Sequence, residues 1–249
     1  MTLAQPVTLA LTTVSAVVRW RQAEPHPVLA PTPTWYDDEA VRALDEHARD
    51  ELARHFLHVR GRATPEFDDA VDVLVRPDRE LYGWVDAVID GRPRRYGVVA
   101  VGGYRVGLLV VRDLDTDVVV LQSVRPSGLT ASFVGQLPDA PPGRGRPISL
   151  PYDDFLAATT DTDEFVGFRT RQDPRVAALR EILAQPRTGA GNLYAAARTN
   201  GGPRHRAEHP TNYIDTSAGR WLTTLDTVED RLTATATPAT RETIARALA

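Results

Sequence analysis

The sequence predicts an α+β protein built on antiparallel β-sheet. Between residues 81 and 124, four apolar segments follow one another with turn signals between them, as in an antiparallel meander. A second observation is that the order strand, helices, meander, helix begins again at residue 148. A sheet shared across a pseudo-two-fold axis is the natural way for two such halves to bury both faces. We therefore expect one domain over residues 1–249, with halves at about 7–137 and 148–249 and a Pro/Gly linker at about 138–147.

The N-terminal half begins with a strand over Val7–Leu11 and a helix capped by Thr12 or Thr13. Four prolines between residues 25 and 33 predict an extended segment. Residues 37–59 predict one long helix, because apolar side chains recur every three or four residues. That stripe consists of Val41, Leu44, Ala48, Leu52, Phe56 and Val59. A shorter helix follows, with Pro65 at its first position.

The first meander comprises residues 81–89, 96–101, 104–111 and 118–124, and Asp90-Gly91 is a hairpin signal within it. Its middle strands are apolar on both faces, so both faces should be covered. A helix from Pro126 to about Leu137 closes this half.

In the C-terminal half we expect a strand at 148–151, helical structure from Tyr152, and a helix from Asp173 to Ala184. Strands are predicted at 191–199, 212–216, 219–225 and 231–237. A last helix is predicted from Pro238 to Leu248.

Composition excludes several classes of function. The 249 residues include no cysteine, which excludes disulfides, thiolate catalysis and sulfur-ligated zinc. The net charge of -4 gives no general attraction to nucleic acid or to an anionic membrane, and the 29 basic residues are all arginine. No signal sequence and no apolar run long enough for a membrane span is evident, so we expect a cytoplasmic protein without membrane association.

Asp215, in the stretch "NYIDTSAGRWLT", resembles the loop aspartate of an aspartic protease. Such an enzyme needs two carboxylates that share a proton, and no second loop of this kind occurs in the chain. The favoured interpretation is a turn between two strands, with Asp215 bonding backbone amides and Gly219 in a conformation closed to other residues. A hydrolase centred on Asp215 is the weaker alternative.

Two further patterns suggest sites. Arg144-Gly145-Arg146-Pro147 spells the core of an AT-hook, so a DNA-associated or regulatory protein is the main alternative function. A single copy in an acidic chain is more typical of an open linker. Glu51, His55 and His58 have metal-ligand spacing on the predicted helix, yet a boundary histidine with solvated neighbours is the favoured interpretation. We predict no catalytic residue, metal or cofactor.

Aromatic side chains remain as candidates for partner contacts. These are Phe165 and Phe168 in "DEFVGFRT", and Tyr194, Tyr213 and Trp221 on C-terminal strands. Most aromatic residues belong to cores, so each is only a candidate.

Four stretches in order resemble the EspG family, whose members are cytoplasmic chaperones of type VII (ESX) secretion. They are "VRPDRELYGWV", "SVRPSGLTASFVGQLPDAPPGRGRPISLP", "QPRTGAGNLYAAART" and "NYIDTSAGRWLT", the last similar to the family's Asp-Thr-x-x-Gly-Arg-aromatic hairpin. The resemblance implies a central antiparallel sheet flanked by helical bundles. It also implies a non-enzymatic function, binding the apolar tip of a PPE-like helical hairpin in a PE–PPE heterodimer. The sheet and the C-terminal helical part are the binding face that the resemblance implies.

Overall fold

The computed structural model describes residues 3–159 and 173–249. The chain divides into two compact units. Unit 1 comprises Met1–Val85, Arg94–Leu137 and Ala195–Ala207, and unit 2 comprises Asp86–Pro93, Pro138–Tyr194 and Glu208–Ala249. The units separate at the start of the predicted linker, but each also takes one segment from the opposite half of the sequence.

The first half of the chain contains seven strands and four helices in its described residues. The strands are β1 (Val7–Ala10), β2 (His58–Val59), β3 (Arg62–Ala63), β4 (Arg79–Ile89), β5 (Arg92–Gly102), β6 (Gly107–Asp113) and β7 (Val118–Val124). The helices are α1 (Leu11–Trp20), α2 (Asp38–Arg54), α3 (Pro65–Val75) and α4 (Leu129–Val134), with 3-10 turns at Pro27–Leu29 and Pro126–Gly128.

The second half continues with six strands and three helices in its described residues. The strands are β8 (Ile148–Pro151), β9 (Arg187–Arg198), β10 (Arg204–Arg206), β11 (Thr211–Thr216), β12 (Gly219–Val228) and β13 (Arg231–Pro238). The helices are α5 (Tyr152–Thr159), α6 (Pro174–Leu183) and α7 (Arg241–Ala247).

Unit 1 is an antiparallel sheet with the strand order β1-β7-β6-β5-β4. The middle strands are buried on both faces, as their sequence predicts, and Val98 to Val101 are fully enclosed. The guanidinium of Arg112 on β6 holds the proline-rich segment, donating to the carbonyl oxygens of Val28 and Ala30 at 2.9 Å each. Val28 and Leu29 of that segment are therefore buried, whereas the residues from Ala30 to Glu39 are exposed.

Unit 2 has the strand order β9-β11-β12-β13-β8, again antiparallel. Helices α5 and α6 cover one face of β13 and β8. Their shared core contains Ile148, Leu150, Ala158, Leu179, Ile182, Trp221 and Ala236. In both units the first strand pairs with the last strand of the meander, so the repeated element order extends to strand pairing. The pseudo-two-fold axis stays a prediction.

The α+β class and the antiparallel sheet with flanking helices are confirmed, but several boundaries were wrong. Helix α2 ends at Arg54, because Phe56 adopts a left-handed conformation (φ 56°) and leads into the β2–β3 hairpin. Phe56 and Val59 are consequently 81% and 48% exposed instead of lying in the apolar stripe. Helix α1 begins directly after β1 with Ala10 as its N-cap, where Thr12 or Thr13 was expected.

The last helix was also placed too early. Pro238 ends strand β13, and α7 starts at Arg241 with the Thr240 hydroxyl accepting from the Thr243 N–H. No helix in the described residues is long and apolar enough to cross a membrane.

Candidate functional site

The hairpin between β11 and β12 contains the stretch that the sequence singles out. Arg220 and Asp215 lie directly opposite each other in this hairpin. The Arg220 guanidinium donates from Nε to Asp215 Oδ1 at 2.6 Å and from Nη2 to Oδ2 at 2.7 Å. The two side chains are only 1% and 4% exposed. Both oxygens of the Asp215 carboxylate are therefore engaged by a buried cation, so the two residues form a bidentate buried ion pair.

The predicted turn residues act differently from the expected Asx-type turn. Asp215 pairs with Arg220 across the hairpin, and it is the Thr216 hydroxyl that accepts from the Ala218 N–H at 3.2 Å. Gly219 adopts φ 120°, and a Cβ there would lie 2.5 Å from the carbonyl oxygen of Pro142. A side chain at this position would need both a strained backbone and displacement of the linker.

The linker beyond residue 137 is bound to this hairpin along its backbone. The Arg220 N–H donates to the Pro141 carbonyl at 2.7 Å, and the Gly143 N–H donates to the Arg220 carbonyl at 2.8 Å. Arg220 Nη2 also donates to the Pro138 carbonyl at 2.8 Å. Trp221 packs so closely against Gly143 that a Cβ there would lie 2.2 Å from the indole nitrogen.

These contacts bear on the AT-hook hypothesis. Arg144 and Arg146 are exposed, but the glycine that precedes them is fixed to β12 and Gly145 lies against the Trp221 ring. The segment is thus a packed connection and lacks the freedom of a disordered minor-groove arm.

The five aromatic candidates have different positions. Tyr213 and Trp221 are 2% and 3% exposed, so they pack inside the protein, with the Arg220 guanidinium 4.6 Å from the Tyr213 ring centroid. Tyr194 is half-buried on β9. Phe165 and Phe168 lie outside the described residues. Contact of these side chains with a partner stays a prediction, and Tyr213 and Trp221 offer almost no surface for it.

The three candidate metal ligands lie in different parts of the structure. The Glu51 carboxylate accepts from the Ala10 N–H at 3.2 and 3.3 Å and so joins α2 to the start of α1. His55 follows the end of α2, and His58 belongs to strand β2. Within residues 3–159 and 173–249, no group of three acidic or histidine side chains could hold a metal ion.

Exposed apolar side chains are the remaining feature typical of binding. In unit 2 these are Val88, Ile89, Leu156 and Val228, at 40–52% exposure. Leu156 lies on α5, where Phe155 packs into the core that this helix covers. The sequence analysis did not name Leu156 as a candidate contact. The segment of α5 is rich in apolar residues, and more of them than one helix face can bury would have indicated an exposed apolar side chain.

Comparison with known proteins identifies the group to which this arrangement belongs. The model of the EspG family matches residues 13–249. The chain belongs to the EspG family. Its relatives include the ESX-1 secretion-associated protein EspG1 of Mycobacterium tuberculosis, 29% identical over 80% of this chain and 69% of that protein. EspG1 of Mycobacterium marinum is 29% identical over 82% of this chain and 71% of its own length.

A solved structure shares the fold of this EspG-family chain. It is that of the Mycobacterium tuberculosis type VII secretion system chaperone EspG5 in complex with a PE25–PPE41 dimer. The TM-score is 0.70 at 16% identity, covering 98% of this chain and 94% of the other. At 16% identity, this similarity shows a common fold.

Proposed function

We propose that this EspG-family chain is a cytoplasmic chaperone of a type VII secretion system. It binds the apolar tip of a secreted PE–PPE-type helical heterodimer and keeps that heterodimer soluble until export. The observation that carries the proposal is the family match over residues 13–249, joined to a fold shared over almost the whole chain with a chaperone solved in complex with a PE–PPE dimer.

The physical role is to cover apolar surface. A helical hairpin tip with exposed apolar side chains aggregates, and its burial stabilises the complex by about 25 cal/mol per Å² of apolar area. Because the partner must be released before export, the interface should be of moderate size instead of an obligate one. This role needs no catalysis, metal or cofactor, in keeping with Asp215, whose carboxylate is neutralised by Arg220.

We place the contact surface on unit 2, around α5 and the exposed ends of its sheet strands. Leu156 presents an apolar side chain at 41% exposure on the helix whose other face packs in the core. Tyr194, Phe165 and Phe168 are the further proposed contacts. Tyr213 and Trp221 are buried and would contribute indirectly, Tyr213 by its contact with Arg220 and Trp221 by its contact with the linker glycines.

Co-expression with a PE–PPE pair encoded in the same genome tests the proposal. We expect the pair to co-purify with the chain, and to pellet when expressed alone. Leu156→Asp should weaken capture, whereas Phe56→Asp, an equally drastic change at an exposed apolar residue of unit 1, should not. A pair that stays soluble alone and never co-purifies would contradict the proposal. Tight, salt-dependent binding to A·T-rich duplex, lost in Arg144→Ala/Arg146→Ala, would favour the DNA-associated alternative.

A further inference from the structure

Unit 1 contains a cavity of about 280 Å³ that the proposed function does not use. Four elements form its walls: the end of α1, the middle of α2, the β2–β3 hairpin and the first turns of α3. The lining residues are Val17, Trp20, Arg21, Arg49, Leu52, His58, Gly61, Arg62, Ala63, Phe67, Asp68 and Val71. The β2–β3 hairpin forms one of these walls. Its two-residue turn, Arg60-Gly61, has left-handed conformations (φ 53° and 78°), which suit a tight connection between two strands.

The floor of the cavity is apolar and rigid. Val17, Leu52, Phe67 and Val71 are all 7% exposed or less, so they are fixed by the surrounding core. Trp20, 37% exposed, adds an aromatic wall, and its indole N–H donates to Asp45 Oδ1 at 2.9 Å. A preformed apolar floor with a few polar groups at the rim is typical of ligand sites.

Three arginines but only one carboxylate, that of Asp68, line the cavity in the described part of the chain. Arg21 is neutralised by Asp68 at 2.5 Å and Asp72 at 3.4 Å. Arg49 lies over the Trp20 ring at 5.3 Å, and neither Arg49 nor Arg62 forms an ion pair within the described part of the chain. Two guanidinium groups with free donors thus face one small cavity.

This lack of counter-ions is notable because the neighbouring helices are acidic. Helix α2 has six carboxylates against three arginines, and α3 has four carboxylates and no basic residue. Those carboxylates repel a polyanion such as nucleic acid, whose charge would extend well beyond the cavity. A ligand with a single anionic group, held within the cavity, avoids most of that repulsion.

We propose that this cavity binds a small amphiphilic carboxylate. The carboxylate accepts hydrogen bonds from Arg49 and Arg62, whose planar guanidinium groups suit a two-oxygen acceptor, and His58 also lines the cavity. The apolar body lies on the floor against Leu52 and Phe67. A volume of 280 Å³ equals roughly nine water molecules, which limits the body to a short chain. Either a medium-chain fatty acid or the C-terminal residue of a peptide has this chemistry.

Isothermal titration calorimetry on the full chain, with matched probes, tests the proposal. Octanoate is compared with octanol, which has the same chain without the charge. The peptide Ala-Ala-Val-Leu with a free C-terminus is compared with its C-terminal amide. We expect saturable binding of octanoate, of the free peptide or of both, at least tenfold tighter than that of the uncharged partner, and weaker at high salt.

Variants locate the site. Arg62→Gln and Arg49→Gln should each weaken binding of the charged probe about tenfold. Arg42→Gln removes the same charge from α2 outside the cavity and should leave the affinity unchanged. Equal affinity for octanoate and octanol, equal affinities in all three variants, or no saturable binding of either acid would overturn the proposal. The comparison of charged and uncharged probes needs no variant, so it tests carboxylate binding even if a substitution impairs folding.

Discussion

Replacing Asp215 with asparagine should be one of the most destabilising conservative changes in unit 2. The substitution keeps the shape of the side chain and one acceptor oxygen but removes the charge that faces Arg220. Because both side chains are at most 4% exposed, no water compensates the guanidinium once its partner is neutral. Breaking a buried pair by removing one partner costs about 3–5 kcal/mol. We expect about 3 kcal/mol for Asp215→Asn, since the amide oxygen still accepts one hydrogen bond.

Urea denaturation followed by circular dichroism measures this loss. The double variant Asp215→Leu/Arg220→Met is the control, because it removes both charges and leaves no unpaired ion. We expect it to be more stable than Asp215→Asn, although the Pro138 carbonyl loses its donor, which costs about 1–3 kcal/mol. A loss below about 1 kcal/mol for Asp215→Asn, or a double variant less stable than the single one, would refute the argument that an unpaired buried charge sets the cost.

Three other changes have outcomes that the structure predicts. Gly219→Ala should lower the free energy of unfolding, measured by urea titration, by at least about 2 kcal/mol. The new Cβ would lie 2.5 Å from the Pro142 carbonyl oxygen, on a residue whose φ is positive. An unchanged free energy of unfolding would contradict this contact. Phe56→Gly should raise the free energy of unfolding by about 0.5–1 kcal/mol, since glycine relieves the left-handed strain at a position that is 81% exposed. A lower free energy of unfolding would mean that the Phe56 ring makes stabilising contacts in the folded protein. Burial, and to a lesser extent the charge of Arg204, lowers the pKa of His26 from 6.5 to about 4. Neutral His26 therefore makes its full contribution to the free energy of unfolding above pH 6.5, and this contribution is lost as the pH falls toward 4. The loss should be on the order of 3 kcal/mol and absent in His26→Gln, which denaturation at several pH values measures.

Most of the strand order could be predicted from local signals. The apolar runs of β5 and β6 and the Asp90-Gly91 turn specify neighbours that are close in sequence, and the structure pairs β5 with β6 as expected. The return of β8 to the edge of β13 is a contact between residues more than 80 positions apart. Only the repeated element order hinted at it, because no local pattern encodes which distant edge a short strand will find.

The boundary of α2 shows why periodicity alone fails. Phe56 and Val59 continue the helical stripe, but the Arg60-Gly61 turn forms the hairpin that ends it. The glycine of that turn is visible in the sequence, but the prediction of the helix end relied on the apolar periodicity instead. The ion pair of Asp215 and Arg220 was missed for a different reason: its partners face each other only after the hairpin register is fixed.

The Asp-Thr-x-x-Gly-Arg-aromatic stretch now has a physical account for each of its named positions. Asp215 neutralises Arg220, and Arg220 uses its remaining Nη2 donor and its backbone to hold the linker. Thr216 closes the turn through its hydroxyl, Gly219 admits the linker carbonyl, and Trp221 covers the linker glycines. Gly219, Arg220 and Trp221 thus join the hairpin to a segment some 80 residues earlier in the chain, and Asp215 and Thr216 hold the hairpin itself. Any side chain that breaks one of these contacts loosens the linker as well as the turn, which is why the stretch acts as a unit and an isolated carboxylate at position 215 would not suffice.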